Sequence, residues 1–316
     1  MITQQSFMFL RTYKKLRPNL RNALAVEAMV HVGPRAFTEI TGEKVNTVAF
    51  TLRADPDTPQ RENSAGVYFR LVNAPEGDGK RQAFEQALQN GDDSYRVVQR
   101  RFDAIPDSPW VYWISDGIRD LFDELSSMSE VAQPRQGTAT ADNFRFLRLW
   151  WEVGMRNIQR NSATRQAAKA SGKQWFPYMK GGIRRKWYGN QDFVVNWGND
   201  SQQIDAFERA VIRNRDHYFR EGITWSDIGG TDFAARLNPG GFVFDVSGSC
   251  AFPESLNEIP LILGTLNSPI ARYLLAVLNP TIHFQVGDLA RLPMPRLLTP
   301  EILESTTKAV HAQYVI

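Results

Sequence analysis

Two stretches of this chain hold residue types able to grip a polyanion at close quarters. In Lys180-Gly181-Gly182-Ile183-Arg184-Arg185-Lys186-Trp187-Tyr188-Gly189-Asn190, Lys180 and the adjoining glycines permit close backbone approach, while Arg184, Arg185 and Lys186 supply charge. An arginine fork can read guanine bidentately in the major groove. The same stretch would equally serve as an exposed β-hairpin whose charges keep the chain soluble. The second stretch is Pro134-Arg135-Gln136-Gly137-Thr138-Ala139-Thr140-Ala141-Asp142-Asn143-Phe144-Arg145-Phe146-Leu147-Arg148. A Gly/Thr-rich turn followed by Asp142-Asn143 and a basic-aromatic segment can present amides and short hydroxyls to phosphates. It reads as well as an ordinary turn with an Asp/Asn helix cap.

The charge distribution fits both stretches. The 316-residue chain has a formal net charge of only +3, yet residues 135–220 carry 16 Lys/Arg against 7 Asp/Glu, so the remainder is acidic. Five of the eight tryptophans (Trp150, Trp151, Trp175, Trp187, Trp197) fall in the same window. Cations that neutralise phosphates, interleaved with rings that stack or wedge, suggest a nucleic-acid surface. A solvated basic face over a Trp-rich core would give the same composition.

Other chemistries lack their residues. The lone Cys250 excludes an intrachain disulfide framework and a multi-Cys zinc site, and the four histidines are scattered without ligand spacing. No local signature of a Ser/His/Asp or Cys/His nucleophile stands out, nor an Asp…Glu-x-Lys nuclease pattern. No apolar run approaches the roughly 18 residues that span a bilayer. The first residues lack a signal-peptide pattern. The expectation is a bacterial cytoplasmic protein without membrane contact.

Around these stretches the apolar periodicity outlines two regions. Phe7, Leu10, Tyr13, Leu16, Leu20 and Leu24 recur at spacings of three and four, predicting a helix over 6–24 interrupted at Pro18 and opened by Ser6 as N-cap. Strands are predicted at 26–32, 45–52 and 67–72, with a polar loop at 54–66. A helix near 81–89 and a helix over 115–127 follow. Helix, strand, loop, strand is the back half of an α/β sheet. From 130 onward, short apolar segments alternate with Gly, Pro and Asn turns, predicting a mixed domain rich in β structure. A helix pair or one helix broken at 267–269 is predicted within 261–278, and a further helix from Thr299 to Tyr314.

Several phrases then carry a resemblance. The stretch 267–293, with its Asn279-Pro280 break and its Gly287-Asp288 and Leu292-Pro293 close, resembles the end of the target-recognition domain in PglX-type adenine-specific DNA methyltransferases of BREX phage defence. Specificity domains of this kind open with a Gly-x-x-Thr-Gly-x-Asn-x-x-Phe phrase. Gly137, Thr140, Asn143 and Phe146 match it, with Ala141 replacing the second glycine, a change that could tighten the loop. Residues 180–190 match a Lys-Gly-Gly-x-x-Arg-Lys-Trp-Tyr-Gly-Asn phrase of the family. Residues 218–226 and 240–245 match its strand pair and read as scaffold, and the resemblance implies an extended segment at 97–105, where the family has a short strand pair. The similarity covers nearly all of the chain.

The resemblance implies an α/β fold in which a partial Rossmann-like methyltransferase sheet, its C-terminal half, precedes a mixed α+β target-recognition domain. It implies domains at 1–127 and 128–295, then the start of a helical segment at 296–316. By the same resemblance, the intact enzyme methylates adenine N6 in DNA with S-adenosylmethionine, and Arg135, Thr140, Asn143, Lys180, Arg184, Lys186 and Asn190 are DNA-contact positions. Phe37, in a strand-loop-strand after His31-Val32-Gly33-Pro34-Arg35-Ala36, matches the aromatic that stacks on a flipped adenine; packing under the sheet edge would account for it equally. The implied partners are double-stranded DNA, a separate N-terminal catalytic half and other phage-defence proteins.

The motifs for cofactor and catalysis are not in the sequence. There is no Phe/Asp-x-Gly-x-Gly loop to hold S-adenosylmethionine and no Asn-Pro-Pro-Tyr tetrapeptide. Gly77-Asp78-Gly79 reads as a surface turn without a strand leading into it, and Asn279-Pro280 lies in the wrong domain. No cofactor is therefore expected for this chain alone, which should not methylate DNA unaided. A split gene, or a start assigned at an internal methionine, would account for that; so would a stand-alone DNA-binding specificity subunit or a non-functional remnant of a split gene.

Overall fold

The computed structural model describes residues 1–37, 45–228, 232–279, 283–297 and 299–314. The chain divides into two compact units, one ending at Glu124 and one beginning at Leu125.

The first unit is built on a five-stranded sheet of β1 (Ile2–Gln4), β2 (Leu24–Gly33), β3 (Thr47–Ala54), β4 (Ala65–Arg70) and β5 (Ser94–Val98), ordered β1-β3-β2-β4-β5. Only β2 and β4 run parallel; the other neighbours are antiparallel. The central strand reads Leu-Ala-Val-Glu-Ala-Met-Val-His-Val-Gly, and a register shift between Val26 and Ala28 resets its alternation. Val26 and Met29, on the two sides of that bulge, are therefore both buried. Tyr68 and Tyr112 stack at 4.8 Å, and Phe7 meets Trp110 edge-on at 5.4 Å within this core.

The predicted helix over 6–24 is in fact three pieces: Ser6–Phe9, a 3-10 turn Arg11–Tyr13 and Leu16–Ala23. A broken helix leaves terminal carbonyls without partners, and Arg17 supplies them. Its fully buried guanidinium donates to Phe7 O (2.9 Å), Leu10 O (2.8 Å) and Asp107 O (2.8 Å). The break also turns the apolar stripe, so Leu10, Tyr13 and Leu16 are partly exposed. Phe7, Tyr13, Leu16 and Leu20 line an open apolar groove of about 530 Å³ with Phe50 and Leu52. Ser6 is the first helical residue rather than the cap, which falls at Gln5 with no side-chain cap bond.

Two other local expectations differ. The loop predicted at 54–66 contains the helix Thr58–Asn63, capped by Asp57, whose carboxylate accepts from Gln60 N at 3.1 Å. Only one turn and a half long, it lacks a detectable apolar period and is held by buried Arg61, which donates to Arg21 O at 2.9 Å. The extended segment predicted at 97–105 ends at Val98 and continues as the 3-10 helix Gln99–Ala104.

The second unit holds two four-stranded sheets and a short pair. Its strands are β6 (Ser126–Ser127), β7 (Ala132–Arg135), β8 (Leu147–Leu149), β9 (Trp175–Met179), β10 (Phe193–Asn196), β11 (Gly222–Trp225), β12 (Ala235–Asn238), β13 (Val243–Phe244), β14 (Cys250–Pro253) and β15 (Pro293–Met294). The sheets are ordered β13-β9-β10-β8, β12-β11-β14-β7 and β15-β6. Phe146, Phe176, Tyr178, Trp197, Tyr218, Phe244 and Phe252 form a dense aromatic core. Trp175 is half-buried beside it, whereas Trp197 is interior, so the tryptophan-rich window serves both core and surface.

Helices Ile259–Leu266 and Pro269–Leu278 meet at a bend of 76°. Ser268 starts the second, accepting from Ala271 N at 3.2 Å, and Pro269 occupies a first-turn position where its missing N–H costs nothing. The last helix, Pro300–Tyr314, packs on Ile259–Leu266. Among the described residues no single helix is long and apolar enough to cross a membrane.

Candidate nucleic-acid interface

Strand β9 delivers Lys180 at its end, and the side chain turns back onto the protein. Its Nζ lies 3.3 Å from Oδ2 of buried Asp245. The same carboxylate accepts from Tyr178 OH (2.6 Å) and Ser247 N (2.7 Å). Burial, followed by the Asp245 charge, holds the Tyr178 phenol well above its ordinary pKa, so it stays a donor. Gly181 is required by the same closeness, since a Cβ there would sit 2.4 Å from Ser247 O. Its glycine serves contact with the protein's own backbone.

The rest of this loop is laid on β12. Trp187 bridges to the strand through Trp187 N to Ala235 O (2.9 Å) and Leu237 N to Trp187 O (2.8 Å). Lys186 Nζ donates to Asn267 O at 2.7 Å, and Asn267 in turn brackets the Ala235 peptide with bonds of 3.0 and 2.9 Å. Burial, then the nearby Arg184 and Arg272 charges, lower the Lys186 pKa. Asn190, buried at φ +58°, donates to Ile183 O at 2.8 Å and closes the loop. Asn tolerates this left-handed backbone better than most side chains. Arg184 projects outward, 3.6 Å from exposed Asp232, which also meets Arg272 at 3.0 Å.

The second stretch forms a pleated turn beside β13. Thr138 N donates to Phe244 O at 2.9 Å. Tyr218 OH donates to Arg213 O (2.6 Å), so the Thr138 hydroxyl at 2.5 Å is the donor to Tyr218. Ala141 stands at φ +57° where the resembling phrase has glycine. Buried Thr140 donates to Asn143 Oδ1 at 2.8 Å, and Asp142 caps the short helix Asn143–Phe146 by accepting from Arg145 N at 3.0 Å. Asn143 itself is exposed. Arg135 is half-buried on β7 and donates to Gln133 Oε1 at 2.9 Å.

The seven positions thus separate by accessibility. Arg184 and Asn143 face water, Arg135 and Lys186 are half-buried, and Thr140, Asn190 and Lys180 are committed to internal bonds. Beyond these seven positions the surface presents further rings. Trp150, Trp151 and Phe144 are exposed, with Phe144 at 90%. The aromatic and arginine density of residues 144–160 was the available signal. Asp245, the anchor of Lys180, had none, because it approaches only through the fold.

In the first unit, Phe37 is 44% exposed and follows β2 by four residues, just before 38–44, which lie outside the described residues. It stands beyond the carboxyl ends of the parallel pair β2 and β4, where open α/β sheets form their ligand crevices. Nearby, buried His31 bonds Tyr112 OH at 2.9 Å and Gln5 Oε1. Burial first, then the Arg70 and Lys80 charges, push His31 down to about 3, so its ring is neutral. Lys80 Nζ donates to Val32 O (2.7 Å) and Leu71 O (2.9 Å), the carbonyls just inside and beyond the two strand ends. Arg70 lies 4.9 Å over the Trp113 ring.

The structure corrects one detail of the cofactor argument. Strand β4 does lead toward Gly77-Asp78-Gly79, which opens the helix Asp78–Asn90. The turn still does not fit S-adenosylmethionine. A Cβ on Gly79 would lie 2.6 Å from Pro75 Cβ, so this glycine accommodates proline rather than a nucleoside.

Comparison with known proteins bears on this geometry. No family model matches the chain. It is 36% identical over 320 residues to the adenine-specific methyltransferase PglX of Lacticaseibacillus casei (strain Zhang), covering 98% of this chain and 26% of that protein. It is 32% identical over 299 residues to the adenine-specific methyltransferase BrxX of Escherichia coli O9:H4 (strain HS), covering 93% and 23%. The chain spans about a quarter of the length of these curated relatives. Among solved structures, the Type IIL restriction-modification enzyme MmeI in complex with DNA superposes with a TM-score of 0.56 over 100% of this chain and 42% of that one, at 9% identity. That likeness concerns the fold and bears out the α/β expectation. The resemblance to PglX-type methyltransferases is likewise borne out.

Proposed function

We propose, from the relatedness of this chain over nearly its whole length to adenine-specific methyltransferases, that it is the DNA-recognition part of an S-adenosylmethionine-dependent DNA adenine N6-methyltransferase. The carrying observation is the 36% identity to PglX across 98% of the chain. The basic, aromatic stretch at 135–220 supports it from the chain's own chemistry. In this reading residues 128–295 hold double-stranded DNA, and residues 1–127 complete the catalytic sheet. Residues 296–316 begin a helical segment.

Within the DNA-holding part, Arg135, Asn143, Arg184 and Lys186 touch the duplex. Thr140, Lys180 and Asn190 shape the two loops that present them. Phe37 stacks on the extruded adenine, a role supported by its exposed ring following the first strand of a parallel pair. The cofactor loop and the tetrapeptide that holds the adenine amino group come from a separate catalytic half. S-adenosylmethionine, bound there, supplies the methyl group. Other phage-defence proteins of the kind expected for a BREX system are further partners.

Two measurements test this. The purified chain should bind duplex DNA with an affinity that falls steeply as salt rises. Co-expression with the N-terminal half of a PglX-like protein should yield a complex that methylates adenine, and Phe37→Ala in that complex should lower methylation while leaving DNA binding intact. Failure to bind DNA at low salt sinks the reading.

A further inference from the structure

The segment 144–160 puts large aromatic side chains into water beside a concentration of arginines. Trp150 is 40% exposed and Trp151 57%. Tryptophan is usually highly buried, so two adjacent exposed ones without a core to fill are unusual. The same segment holds Arg145, Arg148, Arg156 and Arg160 against a single carboxylate, Glu152. That carboxylate is occupied, accepting from Leu149 N at 2.7 Å.

The aromatics are presented on a held frame. Strand β8 is the edge of its sheet and leads directly into the 3-10 turn Trp150–Glu152. Trp150 N donates to Asp192 O at 2.9 Å, tying the turn to the chain entering β10. The two indoles stand perpendicular, 89° apart with centroids at 5.4 Å, so they offer differently oriented faces. Arg148 lies 5.9 Å from the Phe144 ring and 5.7 Å from that of Trp175. Beside Trp150 opens a groove of about 420 Å³, walled by Tyr188 and Phe193 and edged by Arg160, Asn161 and Gln191.

We propose that Trp150 and Trp151 stack on nucleobases of the bound DNA and that the groove beside Trp150 receives the edge of a base opened from the duplex. This rests on the DNA-binding reading above and adds a base-contacting element to it. The charge selects the occupant: four arginines outnumber the bonded Glu152 and the adjoining exposed Asp192, so the edge repels a basic partner and attracts a polyanion. Planar rings offered at a cationic edge suit a ligand with both phosphates and aromatic faces. A ring has such a face in every base, so this contact tolerates sequence. The amides of Asn161 and Gln191 and the Arg160 guanidinium are the groups available to discriminate a base edge.

Stacking and charge leave different signatures. Base–aromatic stacking is worth about 5- to 150-fold in affinity per base and releases no counterions. Trp150→Ala with Trp151→Ala in the intact chain should therefore weaken binding to duplex and single-stranded DNA by at least about 5-fold at every salt concentration, with the slope of log affinity against log salt unchanged. Trp150→Phe with Trp151→Phe should restore most of it. In the parent chain, DNA should protect tryptophan fluorescence from acrylamide quenching.

Outcomes separate the two readings. A parent chain that binds DNA while the alanine pair binds equally well overturns the stacking proposal and leaves the DNA-binding reading standing; it would turn the patch over to a protein partner. A flatter salt slope in the alanine pair, or no rescue by phenylalanine, also overturns it. Bound DNA that leaves the tryptophans open to acrylamide does the same, even if the variants fold poorly. A parent that binds no DNA ends both.

Discussion

Lys180 and Asp245 meet as an ion pair at 3.3 Å, with the carboxylate 4% exposed and the ammonium 22%. The lysine that the sequence offers to a phosphate is thus already neutralising an internal charge. Tyr178 OH and Ser247 N, which share that carboxylate, would be left around an unbalanced anion without it. Removing one partner of a buried pair strands the other. Lys180→Met should lower stability by about 1–3 kcal/mol and leave the salt slope of DNA binding unchanged. Thermal melts and a salt titration check this together; a slope reduced by about one would return Lys180 to the DNA contacts.

Arg184 should behave in the opposite way. Its pairing with Asp232 at 3.6 Å is exposed on both sides and contributes about 0–1 kcal/mol. Arg184→Ala should leave the melt nearly unchanged while weakening binding to all duplexes and flattening the salt slope by about one, the signature of a phosphate contact. A loss confined to particular sequences would instead make Arg184 a base reader.

Ala141 at φ +57° carries a methyl where backbone sterics favour glycine. Left-handed backbone costs an L-residue about 1–2 kcal/mol, part of which glycine's greater unfolded-state entropy cancels. Ala141→Gly should raise stability by up to about 1 kcal/mol without altering the loop. Calorimetry on the pair of proteins decides it: a lower melting temperature would mean the methyl group is held by packing.

Asn267 joins three segments: it brackets the Ala235 peptide with two bonds and accepts Lys186 on its own carbonyl. Asn267→Ala would leave the Ala235 N–H of β12 unpaired, at about 1–3 kcal/mol, while Ala235 O would keep Trp187 N as its donor. The expected result is a destabilised second unit and faster amide exchange at Ala235 and Trp187. Unchanged exchange at both would show that water takes over the side chain's bonds.

His31 gives the first unit an acid limit. Its pKa is pushed from 6.5 to about 3 in the folded state, so between those values the unfolded chain binds a proton that the folded chain does not. Its stabilising contribution is full above about pH 6.5 and is lost progressively as pH falls toward 3, by up to about 1.4 kcal/mol per unit. His31→Asn should flatten the fall in melting temperature across that window. An equally steep fall in the variant would assign the acid sensitivity to other groups.

Much of the architecture was legible because it follows from local pattern. The β-branched run ending at Gly33, the helix over Asp78–Asn90 and the helix break at Asn267-Ser268-Pro269 each announce themselves through spacing or capping chemistry. The helix at Thr58–Asn63 did not, because it is short and buries an arginine rather than an apolar stripe. The stripe from Phe7 to Leu24 misled for a related reason: periodicity is blind to a break whose carbonyls are taken up by a distant guanidinium.

For the candidate interface, the sequence by itself determined that residues 135–220 concentrate cations, rings and loop glycines, and that their phrases resemble a recognition domain. Residue type fixes charge and planarity, and these survive in any fold. Which groups reach water was decided only by tertiary structure. Thr140 meets Asn143 and Asn190 meets Ile183 within their own loops, but Lys180 meets Asp245 and Lys186 meets Asn267 across 65 and 81 positions of chain. Partners that far apart are brought together by strand pairing and helix packing; the buried Asp245 carboxylate then claims Lys180, whereas the Asn267 carbonyl takes one donor of half-buried Lys186 and leaves its others for a ligand.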